Sequence, residues 1–206
     1  MLTILKPGSE IMVASPKYHS LQVLIQNLTI VTVSGAFDEA VKGCHAISHM
    51  ASPVSLSFRN PQPVIRTAIQ GTLSILNSAI DTLSIKSVVL ISSIGAIIGA
   101  KAPPYAYTEA DWNDVSENLV AELGREAPGP HIYLASKTTG EKAFWKFMDE
   151  RNPSFSMTAI NPVFVGGPPL VVPKSPDESK WIDIIRAHTR EPNRVQSDGC
   201  LSIGCC

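Results

Sequence analysis

The sequence has no apolar run long enough to cross a bilayer. Its most apolar stretch, Ser87 to Ala100, contains three serines and falls short of the roughly 20 residues that a spanning helix needs. The opening segment, MLTILKPGSEIMV, has neither a basic stretch nor an apolar core followed by small residues, so no secretory leader is expected and the cytoplasm is the expected location. Charge of one sign is also scarce. Lys and Arg total 17 against 18 Asp and Glu, a formal net charge of -1, which creates no field to gather a polyanion or an anionic surface. Neither nucleic acid nor a membrane is an expected partner. Of the four cysteines, Cys44, Cys200, Cys205 and Cys206, none has metal-ligand spacing. Neither a disulfide framework nor a metal site is expected.

The 206 residues, 44% of them hydrophobic, suffice for one sizeable core and are too few for two comfortable domains. Residues 1–20 show no clear period and are punctuated by Pro7, Gly8 and Pro16, so they read as an irregular lead-in. Residues 21–173 read as the domain and residues 174–206 as a divergent tail. Within the domain, Leu28 to Val33 is a β-branched strand and Ala36 to Lys42 a short helix, with Asp38 and Glu39 in its first turn. Cys44 to Met50 is a second strand that stops at Ala51-Ser52-Pro53. Val64 to Ile80 is a long helix with a wide apolar stripe. The apolar run Ser87 to Ile91 reads as a strand covered on both faces. Gly95 to Pro130 reads as a long mixed loop, Tyr133 to Glu150 as a helix, and Ser156 to Ile160 as a strand closed by Asn161-Pro162. Strand and helix in regular alternation predict an α/β, Rossmann-like parallel sheet with helices on both faces.

Ligands of open parallel sheets sit beyond the carboxyl ends of the strands. Three such ends carry small or polar residues: Ala51-Ser52, Ser92-Ser93 and Asn161-Pro162. Tyr133 and Lys137, four apart on a helix, share a face. A free tyrosine, with a pKa of ~10, is a poor acid at neutral pH, but a neighbouring ammonium favours its phenolate. Such a tyrosine can protonate a carbonyl oxygen while a serine hydroxyl holds that oxygen in place. The hydride must then come from a cofactor. A Tyr–Lys pair at this spacing arises often by chance, as does a serine pair ending a strand. Their order is what distinguishes them: a strand ending in serine, a loop, Tyr-x-x-x-Lys on a helix, then a strand ending in Asn-Pro.

Ile91-Ser92-Ser93, the segment Tyr133 to Glu141, and Asn161-Pro162-Val163-Phe164-Val165-Gly166-Gly167-Pro168 together resemble the extended short-chain dehydrogenase/reductases of the NAD-dependent epimerase/dehydratase superfamily. The resemblance is closest to the dihydroflavonol-reductase-like group with its fungal aldehyde and ketone reductases. Gly35 to Gly43, His49 to Val54 and the helix start Gly71-Thr72-Leu73 add to it, over roughly Leu28 to Pro173. The resemblance implies reduction of a ketone or aldehyde to an alcohol, of a kind found in secondary metabolism, with a small-molecule carbonyl substrate and NADPH favoured over NADH. It implies that Ser93, the second of its pair, orients the carbonyl, that Tyr133 is the acid, and that Lys137 supports the tyrosine and binds the nicotinamide ribose. Ala51, Ser52 and Pro53 would line the cofactor, and Pro162, Val163, Phe164 and Val165 would lie near the nicotinamide. His45 and His49 read as structural. An epimerase also fits the Ser, Tyr and Lys, but the Ala51-Ser52-Pro53 loop resembles the reductases.

One part of that family's pattern is missing from these residues. The family opens with a strand, a Gly-x-x-Gly-x-x-Gly turn and a helix whose N-terminus binds the pyrophosphate, and no such turn occurs in this sequence. In the doubly wound strand order that first strand is central, so a domain without its first βαβ segment is expected to leave a ladder edge unpaired. Two readings follow: a nicotinamide-dependent reductase whose sequence is shortened at both ends, or an inactive reductase remnant that acts as a binding protein.

Overall fold

The computed structural model describes residues 2–5, 11–14, 32–163 and 165. Three short runs separated by long helical segments form the parallel part of its sheet. These are β3 (Ala46–His49), β4 (Ser87–Ile91) and β5 (Ser156–Ile160), side by side in chain order with Ile47 opposite Val88 and Val88 opposite Met157. Parallel neighbours need a crossover. Helix α1 (Pro61–Ile80) joins β3 to β4, and α3 (Gly129–Arg151) joins β4 to β5. Right-handed crossovers that step one way across a sheet place their helices on the same face, and α1 and α3 pack against each other.

Burial follows with period two. Ile47, His49, Val88 and Leu90 are buried beneath the helices, while Ser48, Val89 and Ile91 on the opposite face are half-buried and Thr158 and Ile160 are exposed. The fold is the expected α/β, Rossmann-like one. The helices expected on both faces are found on one face among the described residues, so β4 is less fully covered than its apolar run suggested. Phe37, Val41, Ile75, Leu76 and Phe144 fill the space between helices and sheet, and each large side chain so buried contributes about 1.5–3 kcal/mol.

Both long helices begin earlier than expected, for the same reason. Pro61 and Pro130 sit in the first helical positions, where a missing N–H costs nothing and the fixed φ suits the helix. Asn60 caps α1 by accepting from the Gln62 amide at 3.3 Å. Helix α3 ends at Asn152, in the left-handed conformation with φ 41°, before Pro153. The segment Gly95 to Pro130, expected as a loop, contains α2 (Asp114–Leu123) and 3-10 turns at Ile94–Ala96 and Gly124–Glu126. Asn113 is the cap that starts α2, its Oδ1 accepting from Ser116 N at 3.1 Å.

Ala36 to Lys42, expected as a short helix, is instead a run of turns with a single i to i+4 backbone bond, from Val41 N to the Phe37 carbonyl. Gly35 at φ 78° and Gly43 at φ 69° bracket it in left-handed backbone, leaving too short a stretch to nucleate a helix. Ser74 donates to the Val33 carbonyl and Ser78 to Asp38, each at 2.6 Å, docking these turns on α1. Asp38 therefore serves a tertiary bond rather than a helix dipole.

Residues 1–20, expected to be irregular, contain β1 (Leu2–Leu5) and β2 (Ile11–Ala14), with Pro7 and Gly8 falling between the strands. The strand order is β2-β1-β3-β4-β5, and β1 runs antiparallel to both neighbours. A ladder edge was expected to lack a partner, but β3 is paired on both sides, by β1 and by β4. The expected strand at Leu28 to Val33 lies outside the described residues except for Thr32 and Val33, which form a turn and a bend. The chain divides into two units, Met1–Phe164 and Val165–Cys206, and all of these elements belong to the first.

Candidate active site

Strand β4 delivers two serines to the site and turns them in opposite directions. The inward parity of Val88 and Leu90 continues to Ser92, which is buried with no hydrogen-bond partner for its Oγ. Ser93 points the other way, half-buried. Pairing with β5 continues past the strand ends, through Ser92 N to the Ile160 carbonyl at 2.9 Å and Ile94 N to the Pro162 carbonyl at 3.0 Å. Ser93 then caps the turn Ile94–Ala96, its Oγ accepting from Gly95 N at 3.1 Å. An acceptor engaged in this way leaves the hydroxyl proton free to donate to a ligand.

Helix α3 delivers Tyr133 and Lys137 from its second and third turns. Its first turn is seated by Gly129, where any Cβ would strike the Leu56 carbonyl and stand 2.9 Å from Phe58 N. Only glycine lets the helix start approach the loop that follows β3 this closely. The Lys137 ammonium lies 6.0 Å from the centre of the Tyr133 ring and donates to the Ser92 carbonyl at 3.4 Å. Burial pushes its pKa down to about 8, with the Glu141 carboxylate acting against that fall.

Below this pair a cavity of about 20 Å3 is lined by His49, Ala51, Ser52, Ser92, Lys137 and Glu141, among others. His49 is 2% exposed and its Nδ1 has no partner. Burial, with the Lys137 ammonium adding to it, pushes its pKa down to about 4, so the ring is neutral. Glu141 is buried too. Its Oε2 accepts from Asn161 Nδ2 at 2.6 Å and its Oε1 from Trp145 Nε1 at 3.4 Å, while Asn161 Nδ2 also donates to the Ser93 carbonyl at 3.1 Å.

The structure thus brings Ser93, Tyr133, Lys137, Ala51 and Ser52 to one end of the sheet, with Pro53 following in the same half-buried loop. Pro162 joins them through its carbonyl. Val163 is exposed, Phe164 lies outside the described residues, and Val165 belongs to the second unit. His45 is exposed at the other end of β3, its carbonyl accepting from Lys86 N at 2.8 Å. Sequence reasoning missed Glu141 and Asn161 as a bonded pair. The signal for Glu141 was its spacing, four beyond Lys137 and eight beyond Tyr133, which puts all three on one helix face.

A family model described as the NAD dependent epimerase/dehydratase family matches residues 15–200. The chain belongs to this family. Among curated proteins, a cinnamoyl-CoA reductase of Medicago truncatula is 36% identical over 163 residues, covering 77% of this chain and 47% of the relative. Aldehyde reductase 2 of Sporidiobolus salmonicolor is 39% identical over 137 residues, covering 65% of this chain and 40% of the relative. The chain therefore spans less than half the length of these relatives. Among solved structures, Gre2 from Candida albicans in complex with NADPH aligns at a TM-score of 0.60 and 31% identity, over 69% of this chain and 43% of that one.

Proposed function

We propose that this chain is an NAD(P)H-dependent reductase that converts a small ketone or aldehyde to an alcohol, with NADPH the favoured donor. The observation that carries the reading is Lys137: a buried ammonium beside the Tyr133 ring, one hydrogen bond away from the backbone of Ser92. Ser93 would hold the carbonyl oxygen with its free hydroxyl proton, and Tyr133 would protonate that oxygen as it becomes an alkoxide. The Lys137 charge stabilises the phenolate left behind.

The residues present fit the ribose end of a nicotinamide nucleotide. An ammonium offers three donors, and Lys137 uses one on the Ser92 carbonyl among the described residues, leaving two for ribose hydroxyls. Ala51, Ser52 and Pro53 lie at the adjacent strand end, and Pro162 and Val163 at the next, as cofactor-lining positions. When bound, the nicotinamide supplies the hydride. The relatives, an aldehyde reductase and a cinnamoyl-CoA reductase among them, support a carbonyl substrate.

A second reading, a binding protein that keeps the reductase fold without turnover, draws on one observation: no glycine-rich phosphate turn occurs in the 206 residues. Oxidation of NADPH in the presence of a panel of aldehydes and ketones decides between the two. The reductase reading expects turnover in the unaltered chain and its loss, by a factor of about 100 or more, in Tyr133→Phe with folding intact. Activity retained in Tyr133→Phe removes Tyr133 as the acid.

A further inference from the structure

The chemistry above leaves one buried charge unused. Glu141 is 5% exposed, and none of the ion pairs among the described residues includes it. Burying a carboxylate costs several kcal/mol unless hydrogen bonds and an opposite charge compensate. Its hydrogen bonds come from Asn161 and Trp145, and Lys137, one turn back on the same face, lines the same cavity. Asn161 has two amide hydrogens and its Nδ2 makes two contacts, one to Glu141 and one to the Ser93 carbonyl. A single side chain at the end of β5 thus bridges the backbone of the β4 serine and the flank of α3.

We infer that Glu141 and Asn161 are positioning residues: Asn161 locks the Ser93 backbone to the helix face that bears Tyr133 and Lys137, and Glu141 supplies the counter-charge for the Lys137 ammonium. The inference rests on the reductase reading of this site and adds what fixes its geometry and charge. Three elements must keep register for Ser93 and Tyr133 to reach one oxygen, and β4, α3 and β5 meet at this amide. Among the residues that line the cavity with Lys137, Glu141 is the acidic one. Helix α3 offers Tyr133 as well, β3 presents His49, which is neutral, β4 presents the Ser92 carbonyl, and α1 presents uncharged Ala68 and Thr72.

The test follows the titration of Lys137 in the full chain, by NMR of isotope-labelled lysine Cε, with the Lys137 signal identified by its loss in Lys137→Arg. The unaltered chain is expected to titrate near 8. In Glu141→Gln, which keeps shape and acceptor but loses charge, the midpoint is expected to fall by about one unit. In Glu141→Asp, which keeps the charge farther away, it should lie between the two. An unmoved midpoint in Glu141→Gln overturns the counter-charge role, and a lower melting temperature with an unmoved midpoint reduces Glu141 to packing. Should Glu141→Gln not fold, Glu141→Asp is compared with the unaltered chain by the same criterion. For the bridge, Asn161→Ala should shift the amide resonances of Ile94 and Gly95, and unshifted resonances overturn it. These readouts need no turnover, so an unaltered chain that reduces no carbonyl counts against the reductase reading alone.

Discussion

At 2% exposure His49 has its pKa pushed down from 6.5 to about 4, by burial first and with the Lys137 ammonium adding. In the unfolded chain it binds its proton at the ordinary value. Between pH 6.5 and 4 the unfolded state therefore takes up the proton first, and stability present above the upper value is lost as pH falls toward the lower. The shift corresponds to about 3 kcal/mol at most. A melting-temperature series from neutral to acid should show this decline. His49→Gln, which does not titrate, should flatten it, and an unchanged slope in that variant removes His49 as the cause. The Tyr133–Lys137 face was legible in the sequence because helical spacing alone puts residues four apart together. That Ser93 rather than Ser92 orients a carbonyl was implied by resemblance, and strand parity adds only that the two serines turn opposite ways. Val88, Leu90 and Ser92 share a face, so the second serine must leave it. The Asn161–Glu141–Ser93 contacts were not legible, because they join residues 20 and 68 positions apart, whose meeting depends on the finished sheet.

Among the elements, α3 is placed by a contact that forbids a side chain. Gly129→Ala should push the helix start away from the Leu56–Phe58 backbone at a cost of about 1–3 kcal/mol. A melting temperature equal to that of the unaltered chain would show that the loop yields instead. Helix α2 depends on a cap. Asn113, 2% exposed, accepts from Ser116 N and donates to the Gly95 carbonyl. Asn113→Ala removes both bonds and should lower stability by about 1–3 kcal/mol, read as a fall in the urea midpoint. α2 escaped sequence reading because its apolar positions are few. Yet Asn113 followed by Asp114 and Glu117 is a helix-start signature, and Lys142 of α3 confirms those acids as partners by binding both. The turns at Ala36 to Lys42 went the other way. Their composition suits a helix, but Gly35 and Gly43 confine them to a length at which tertiary bonds from Ser74 and Ser78 decide the backbone.

At the scale of the whole molecule, the parallel strands and their helices were legible from alternation alone. The antiparallel hairpin was not, since short strands next to Pro7 and Gly8 carry too little periodicity to be seen. The same scale governs cofactor affinity. Under the reductase reading Lys137 has donors to offer a ribose, but no glycine-rich turn in the 206 residues provides backbone amides for a pyrophosphate. Fluorescence titration of this chain with NADPH is expected to show weak binding, and micromolar or tighter affinity overturns that expectation. The sheet order has a consequence for how the chain reaches this form. β3, β4 and β5 succeed one another both along the chain and across the sheet, with each crossover helix made before the strand that follows it. During synthesis every new strand finds its template already exposed by the segment just completed. The sheet lengthens at one margin, in the order in which the ribosome delivers it, and no strand from Ala46 to Ile160 has to be inserted between two that have already paired.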